Sequence, residues 1–559
     1  MKRAWRARFG RPQQTPPAPV PMAAPAADDA ASRHYRRGLE LRSAGQHREA
    51  LAAFQLAIDA RHDFAEAHLH AARTHRDLGE AEDASDRYLL ALAFDPGCTG
   101  ARLDLATLHT EAGDLHAAIA LLEEAVKADL AELAIFSRLA KLHKHCGNPQ
   151  AARAVFERAL EKLPDEPVLH VNFGMLWLGH LGDPVRAEAH FMRALFLRPG
   201  FDIAQSNLGI ALQDQGRHEE AIALYERSIA ARPEPEEYRW NRAIALLALG
   251  RFDEGWPDYE LRKYRPDARR LHKAFKLPDW GGGPLAGRSI LVYAEQGVGD
   301  EIMFASCLPE VVAQTGACVI ECDARLAPLF ERSFPQARIA HRADAKRKWR
   351  ELYPGLELQS ACGSLPRYLR RRIEDFPAHA GYLRADPAAV EAWRARLPQA
   401  GRGRHIGLSW RAGTLSTRGP LRSMALETLA PLFALSDTTF VILQRDLSEA
   451  ERAALTGRDN VLLPDLPQDL DALAALVCAL DLLVAVPSTL VHLAGALGRP
   501  AWGLLARTPE WRYGVTGERM PWYPSLRLFR QGADGWGAVV DQVRADLANV
   551  DRSGGVPVR

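Results

Sequence analysis

Apolar and small residues recur with a fixed period through the first half of the chain. Glycines stand 34 residues apart, with one step of 35, at positions 45, 79, 113, 147, 182, 216 and 250. Each is followed five residues later by a small residue, and four residues after that by a large apolar one. The pattern predicts pairs of helices in which the glycine turns the chain, the small residue permits close approach and the large residue fills the space to the next pair.

These positions resemble the tetratricopeptide repeat. The small residues are Ala50, Ala84, Ala118, Ala152, Ala187, Ala221 and Gly255, and the large ones are Phe54, Tyr88, Leu122, Phe156, Phe191, Tyr225 and Tyr259. Seven units over residues 31–263 would stack into an α-solenoid, a right-handed superhelix with a concave groove. Residues 1–30 are basic and then rich in Pro and Ala, which predicts a disordered tail.

The sixth position of each unit is expected to face the groove. It is polar or charged in the first four units (Arg36, His70, Asp104, Arg138) and asparagine in the last three, Asn172, Asn207 and Asn241. The sixth unit resembles repeats of O-linked N-acetylglucosamine transferase, whose groove asparagines hold an extended peptide. An amide can donate to a carbonyl and accept from an N–H, so it can bind main chain. The alternative is that asparagine is simply tolerated on a solvated helix face.

After residue 263 the helical period ends and short apolar runs alternate with helical segments. Pro and Gly concentrate in residues 264–287, which predicts a linker. Buried strands are predicted at 289–294, 405–410 and 438–444, among others. Strands that alternate with helices predict parallel sheets. We expect two α/β lobes, residues 288–396 and 403–548, followed by a disordered tail at 549–559, with ligands bound where the strands end at the cleft between the lobes.

Five segments between about residues 280 and 540 carry a further resemblance. They read EQGVGDEIMF, GLSWRAG, RSMALETLAPL, HLAGALGRPAW and PWYPSLRLFRQ. Together they resemble a bacterial tetratricopeptide-repeat glycosyltransferase, whose module is related to the lipopolysaccharide heptosyltransferases and distantly to O-linked N-acetylglucosamine transferase. The resemblance implies a GT-B-like module of two Rossmann-like lobes, the first for the acceptor and the second for a nucleotide sugar.

The stretch VAVPSTLVHLAGALGRPAW predicts a buried strand that enters a helix through a polar turn. Free N–H groups and the helix dipole make such a start a site for phosphate. Ser488 and Thr489 would cap the helix and add hydroxyl donors, and the resemblance implies that the donor diphosphate binds here. His492 lies near the same face, or else is a core histidine. Heptosyltransferases usually carry Asp where this chain has Pro487, which leaves an acidic contact to the donor in doubt.

Two arginines are predicted to neutralise the leaving diphosphate. Arg411 and Arg422 follow the first strand of the second lobe, and an Arg can hold phosphate through two parallel hydrogen bonds. No convincing metal motif is present, so we expect neither a metal nor a cofactor, with the nucleotide sugar as substrate. Heptosyltransferases use a nearby Lys, and this chain has no Lys after Lys348. The alternative is that both arginines lie on the surface.

The base is expected in the first lobe. The resemblance implies that Asp300 takes the proton of the acceptor hydroxyl, although Asp300 could also cap its helix. The neighbouring Gly297 and Gly299 would let the backbone approach the acceptor. Glu295 is a second candidate for the base, and Glu295 and Gln296 would contact acceptor or sugar. Trp511 and Tyr513 lie in a loop dense in aromatic residues. They would stack on the nucleotide or sugar, or else plug the lobe interface.

Composition narrows the class of protein. A net charge of +1 argues against binding nucleic acid through a general basic surface. No apolar run approaches the length of a membrane span. The seven cysteines are few and lie mostly in apolar segments, which predicts reduced thiols and a cytoplasmic protein.

The leading hypothesis is an inverting, metal-independent glycosyltransferase with an acceptor recruited by the repeats. We expect that acceptor to be a protein, and flagellin is the bacterial candidate that the kinship implies. A lipopolysaccharide or other surface polysaccharide is the alternative acceptor. A second class of hypothesis is a non-catalytic adaptor with a degenerate transferase module, which Pro487 and the missing Lys favour. The sequence leaves the sugar, the nucleotide and the oligomeric state open.

Overall fold

The computed structural model describes residues 29–130, 132–232, 236–264, 275, 277–341, 354–397, 403–413 and 419–549. The predicted tails, apart from residues 29, 30 and 549, and positions 265–274 and 276 of the predicted linker lie outside these residues. The chain forms two compact units, Met1–Pro164 and Asp165–Arg559.

The first unit is helical throughout its described residues. It contains four helix–turn–helix pairs, in agreement with the predicted repeats. The helices are α1 (Ala30–Ser43), α2 (His47–Ala60), α3 (Ala65–Asp77), α4 (Ala81–Phe94), α5 (Thr99–Glu111), α6 (Leu115–Lys127), α7 (Leu133–His145) and α8 (Pro149–Lys162).

The second unit begins with three further pairs of helices. They are α9 (Pro167–Leu176), α10 (Pro184–Leu197), α11 (Asp202–Asp214), α12 (His218–Ala231), α13 (Glu236–Ala248) and α14 (Phe252–Tyr259). A 3₁₀ turn, Glu260–Tyr264, ends the last pair. The predicted period of helix pairs is therefore confirmed up to residue 264.

The seven periodic glycines form the turns between the paired helices. Each has a positive φ, between 68° and 80°, a left-handed conformation that glycine adopts without steric cost. The single step of 35 residues has a local cause. Helix α9 continues into a π-helical turn, Trp177–Leu181, which accommodates one extra residue before Gly182.

The small and large residues of the period pack as predicted. Ala221 and Tyr225 on α12 are fully buried, and Tyr225 lies against Gly209 on α11. A Cβ atom added at Gly209 would lie 2.3 Å from Tyr225 Cζ. The same aromatic-on-glycine contact recurs between Phe54 and Gly38 and between Phe191 and Gly174.

After the repeats, the second unit builds its first parallel sheet. Its strands are β1 (Ser289–Tyr293), β2 (Ala317–Cys322), β3 (Arg338–His341) and β4 (Leu358–Ala361), in the order β3-β2-β1-β4. The helices between and after these strands are α15 (Val298–Phe304), α16 (Leu308–Gln314), α17 (Ala327–Ser333), α18 (Pro366–Leu369) and α19 (Pro387–Arg396).

The second sheet has seven strands in the order β10-β11-β9-β8-β5-β6-β7. All neighbours are parallel except β10 and β11. The strands are β5 (Arg404–Ser409), β6 (Thr438–Ile442), β7 (Val461–Leu462), β8 (Leu482–Ala485), β9 (Ala501–Leu505), β10 (Arg519–Met520) and β11 (Tyr523–Arg530). Its helices are α20 (Glu449–Leu455), α21 (Leu470–Ala479), α22 (Thr489–Ala496) and α23 (Gly535–Asn549). The predicted region of parallel sheets with intervening helices is thus present after the repeats.

The last repeat shares its hydrophobic core with the lobes. Trp256 and Tyr259 of α14 pack in one cluster with Ile302 and Phe304 of α15. The Trp256 indole also donates a hydrogen bond of 2.8 Å to the Arg370 carbonyl. In the parts of the chain that the structure describes, no helix is long and apolar enough to cross a membrane.

The Gly209 contact generates a stability prediction. Gly209→Ala should lower the free energy of unfolding by about 1–3 kcal/mol, because the new methyl overpacks against the buried Tyr225. The thermal unfolding midpoint, followed by circular dichroism, measures the change. Gly537→Ala is the matched control, because its helix position is open to solvent and alanine favours the helix. Equal midpoints for the two variants would contradict the packing role of Gly209.

Candidate functional site

The candidate site is a cleft at the point where the second sheet reverses its strand order. Strand β5 lies between β6 and β8 in this sheet. From β5 the chain continues to β6 and β7 on one side, and it then crosses to β8 and β9 on the other side. Loops diverge at such a switch point and leave a crevice at the carboxyl ends of the strands. A cleft of about 1220 Å³ lies here, and α15 of the first lobe contributes to its wall.

Most of the predicted catalytic, donor-site and neighbouring residues meet in this cleft. Its lining includes Gly299, Asp300, Arg411, Arg422, Ser488, Thr489, His492 and Tyr513. They come from segments up to 214 positions apart in the chain, and the parallel sheets bring them to one edge. Their catalytic and binding roles remain predictions.

The start of α22 is open to the cleft. Ser488 occupies the N-cap position in an extended conformation, but its side chain does not cap the helix. The predicted capping by Ser488 is therefore wrong. Its Oγ atom is buried and makes no hydrogen bond within the described residues. The first turn of an α-helix also has N–H groups without helical partners. A hydroxyl and main-chain donors are thus available together at the positive end of a helix dipole.

Positive charge predominates in the cleft. Among the described residues, five arginines line it, Arg325, Arg411, Arg422, Arg445 and Arg512, together with three carboxylates, Asp300, Asp446 and Glu510. The excess of guanidinium groups around a helix N-terminus favours a ligand that carries negative charge.

Arg411 is held in place by side chains and main chain. Its guanidinium pairs with Glu451 and donates 2.8 Å to the Asp446 carbonyl. Burial raises the pKa of the Glu451 carboxyl, but hydrogen bonds from Ser448, Arg411 and Trp410 outweigh it and lower the pKa overall. Glu451 therefore stays charged and orients Arg411 at the edge of the cleft.

Arg422 forms an ion pair with Glu510 inside the cleft. Glu510 Oε1 takes part in this pair, whereas Oε2 is buried and has no hydrogen-bond partner in the described part of the chain. A buried carboxylate oxygen without a hydrogen bond raises the free energy of the folded state unless a ligand donates a hydrogen bond to it.

Asp300 and Arg512 join the two lobes across the cleft. Arg512 Nη2 donates 2.5 Å to Asp300 Oδ1, so the predicted base is already paired with a cation from the second lobe. Burial lowers the pKa of Arg512, but the attraction of Asp300, with smaller contributions from Tyr513 and Tyr259, raises it overall. Arg512 therefore remains charged. Its Nε atom is buried without a partner among the described groups.

His492 is a buried histidine that also lines the cleft. Its Nδ1 lies 3.0 Å from the Tyr523 hydroxyl, and its Nε2 lies 3.5 Å from the Tyr513 hydroxyl. Burial, with a smaller contribution from Arg512, lowers its pKa to about 3. A Cβ atom added at Gly299 would lie 3.2 Å from His492 Cδ2, so glycine allows α15 and α22 to approach closely.

Three predicted acceptor residues, Glu295, Gln296 and Gly297, do not line the cleft. Glu295 is 4% exposed and pairs with the equally buried Arg262, and the Gln296 side chain is bonded to Tyr259 and Glu295. Arg262 also donates to Glu260, its neighbour at the end of the repeats, and to Ser364, which follows β4. These contacts hold the last repeat against the first sheet.

Trp511 also lies outside the cleft. It is 7% exposed and packs against Trp256, Tyr259 and Trp522, with ring centroids 5.5–6.4 Å apart. This position agrees with the alternative that the aromatic loop plugs an interface. Tyr513, two residues on, does line the cleft.

A second cavity of about 950 Å³ lies between helices α10–α13 and the loops of the second lobe. Of the three groove asparagines, Asn241 lines it. Its amide nitrogen donates 2.8 Å to Ser206 Oγ, and that of Asn207 donates 2.7 Å to the Ile203 carbonyl of its own helix. Asn172 is half-buried on α9.

Sequence reasoning missed Arg325, Arg445, Glu510 and Arg512. The last two lie in the loop that follows β9, within a stretch that was interpreted through its aromatic residues. Their position after the carboxyl end of a parallel strand was the available signal. Arg325 follows β2 in the first lobe, and its approach to the cleft depends on how the lobes pack.

Comparison with known proteins identifies the repeats. Two models of the tetratricopeptide repeat match residues 109–173 and 206–269. The chain is 35% identical over 395 residues to Protein FlbA of Caulobacter vibrioides, a match that covers 66% of this chain and 65% of FlbA. TPR repeat-containing thioredoxin TTL4 of Arabidopsis thaliana is 39% identical over 66 residues, or 12% of this chain and 10% of TTL4. The chain spans less than two thirds of either relative.

Solved repeat structures are also similar. YrrB, described as a TPR protein with an unusual peptide-binding site, is 22% identical with a TM-score of 0.28, over 33% of this chain and 95% of YrrB. The C-terminal part of a TPR repeat-containing protein from Cytophaga hutchinsonii is 16% identical with a TM-score of 0.34, over 43% of this chain and 98% of that solved C-terminal part. The matches to the two repeat models show that the chain contains tetratricopeptide repeats, and the chain is similar to FlbA. Repeats of this kind typically bind protein partners.

The low pKa of His492 generates a pH prediction. A histidine whose pKa is lowered in the folded state stabilises the fold above its unfolded pKa, and this stabilisation is lost as the pH falls toward about 3. When the pH is lowered from 7 to 5, the free energy of unfolding of the wild type should fall by about 2 kcal/mol more than that of His492→Asn. Urea unfolding at both pH values measures this difference. Equal decreases in the free energy of unfolding of the two proteins would show that the fold does not keep His492 neutral.

Proposed function

We propose that the chain is an inverting, metal-independent glycosyltransferase that moves a sugar from a nucleotide sugar to an acceptor recruited by the repeats. The observation that carries the proposal is the convergence of Ser488, the start of α22 and five arginines in one cleft between two parallel-sheet lobes. We interpret these lobes as a GT-B-like module.

The cleft has the donors that a leaving phosphate requires. Ser488 Oγ and Arg512 Nε are buried and have no hydrogen-bond partner within the described residues, so a ligand oxygen can satisfy both. Arg411 and Arg422 supply charge near the same helix start. Preorganised donors of this kind stabilise the negative charge that develops on the leaving group.

The acceptor side of the proposal rests on the second cavity. It lies between the last repeats and the loops of the nucleotide-binding lobe, and it shares Arg422 and Glu510 with the cleft. A protein segment bound along the repeats would therefore reach the cleft edge. We propose a protein acceptor, for which flagellin is the candidate that the kinship implies.

Nucleotide binding tests the donor site. We expect one of UDP, GDP and CMP to bind in isothermal titration calorimetry, with the same affinity in EDTA as in Mg²⁺. The double variant Ser488→Ala/Thr489→Ala, and separately Arg411→Ala, should weaken binding about 10- to 100-fold, because each removes hydrogen bonds to a charged group. Arg394→Ala is the control, because Arg394 lies on α19 outside the cleft.

The outcomes separate the two classes of function. No binding of any nucleotide or nucleotide sugar would overturn the transferase and leave a partner-binding repeat protein. Binding that requires Mg²⁺ would overturn the metal-independent chemistry. Mass spectrometry of the source cells with and without the gene then tests transfer, since loss of a glycan mass from a protein is the expected result. If the glycan mass were lost only from a polysaccharide, the acceptor would be a polysaccharide and not a protein.

A further inference from the structure

We propose that Glu510 is the base that takes the proton of the acceptor hydroxyl, and that Arg422 holds this carboxylate until a donor binds. This inference rests on the proposed glycosyltransferase function. It assigns the proton transfer to a different carboxylate from Asp300 and places it where the two cavities meet.

Glu510 stands at the boundary between the cleft and the second cavity. Glu510 and Arg422 line both. Glu510 precedes the 3₁₀ turn Trp511–Tyr513, whose first residue lines the second cavity and whose last two line the cleft. The loop is tied to the repeats by Thr508 Oγ1, which donates 2.7 Å to the Asp214 carbonyl of α11. This segment therefore separates the two cavities, and an acceptor that enters from the repeats meets the donor beside Glu510.

The two oxygens of Glu510 have different environments. Oε1 pairs with Arg422, whereas Oε2 is buried and accepts no hydrogen bond from any described group. A buried carboxylate oxygen without a donor is unfavourable, and an entering hydroxyl would supply the missing hydrogen. A base must be within hydrogen-bond reach of the proton that it removes, and Oε2 is the atom left available for this contact.

Asp300 is placed differently. It lines the cleft but not the second cavity, and its Oδ1 is bound to Arg512. The attraction of Asp300 keeps the buried Arg512 charged, so removing that carboxylate would leave a buried cation without its counter-ion. We therefore assign Asp300 as a positioning residue that holds Arg512 at the phosphate site.

The lining of the second cavity suits an extended polypeptide. Trp240, Ile210 and Ile244 provide apolar surface. The amide nitrogens of Gln213, Gln215 and Asn241 all donate inside the repeats. Their carbonyl oxygens accept no hydrogen bond within the described chain, which leaves them available to main-chain N–H groups.

The reaction step balances without another reagent. The acceptor O–H proton passes to Glu510 Oε2 as the acceptor oxygen forms a bond to the anomeric carbon. The bond from that carbon to the phosphate oxygen breaks, and its electron pair leaves on the nucleotide. Donor phosphate and Glu510 compete for Arg422, so donor binding draws the arginine away and frees the base. Solvent then takes the proton from Glu510 after the products leave.

Four full-length proteins test the assignment: wild type, Glu510→Gln, Glu510→Asp and Asp300→Asn. Each is expressed in source cells that lack the gene, and mass spectrometry measures the glycan-modified fraction of the acceptor. Calorimetry with UDP, GDP and CMP measures nucleotide affinity of the purified proteins. Glu510→Gln should lower the modification rate at least about 100-fold, because it removes a general base. It should also bind nucleotide more tightly, because Arg422 loses its competing carboxylate.

This combination distinguishes a base from a structural residue. Tighter nucleotide binding shows that Glu510→Gln is folded, and Glu510→Asp should retain part of the modification. Asp300→Asn should mainly weaken nucleotide binding, since Arg512 loses its partner. Normal modification by Glu510→Gln, weakened nucleotide binding in that variant, or complete loss in Asp300→Asn with unchanged nucleotide affinity would overturn the assignment. If the wild type itself neither binds nucleotide nor modifies a protein, the proposed function fails and the base assignment fails with it.

Discussion

The buried Arg262 is the constraint on which the second unit depends. Its side chain is 4% exposed and binds the carboxylates of Glu260 and Glu295 as well as the Ser364 hydroxyl. A guanidinium removed from water must be paired on several sides, and removal of one partner leaves an uncompensated charge. Because its partners come from the last repeat, the end of β1 and the end of β4, Arg262 fixes the repeats relative to the first sheet.

The same principle of paired charges organises the cleft. Arg411, Arg422 and Arg512 are each held by a carboxylate, namely Glu451, Glu510 and Asp300. Partnered arginines can be kept partly buried at the carboxyl ends of the strands, where unpaired ones would be costly. The three ion pairs differ in whether the carboxylate itself lines the cleft, where an incoming anion would lie beside it. Glu451 anchors Arg411 from outside the cleft lining, whereas Glu510 and Asp300 themselves line the cleft beside their arginines.

Sequence reasoning succeeded where the physics is local or periodic. Each repeat contains its own structural determinants: a glycine at the left-handed turn, a small residue between the helices and an aromatic residue packed on a glycine. Because these determinants lie within one repeat, all seven turns were predictable. The strand and helix order of the lobes follows from short apolar runs, and a loop after a parallel strand must reach the ligand edge. Arg411, Arg422, Ser488 and Thr489 could be placed in the cleft for that reason.

The remaining features depend on distant partners. Glu295 and Gln296 looked like ligand contacts because they follow β1, but the space there is taken by Arg262 and Tyr259 from the repeats. Ser488 occupies the N-cap position, yet its hydroxyl makes no capping hydrogen bond.

The sequence by itself determined the repeats, their turns and the two parallel-sheet lobes. Residues that are close in sequence determine both the backbone conformation and the spacing of buried positions along a helix or strand. Only the tertiary structure decided which charges face one another: Asp300 with Arg512, Arg422 with Glu510, and Arg262 with Glu295. Ion pairs carry no sequence period. They form wherever the packing of elements brings opposite charges together, and that placement decides which carboxylate stands between the two cavities.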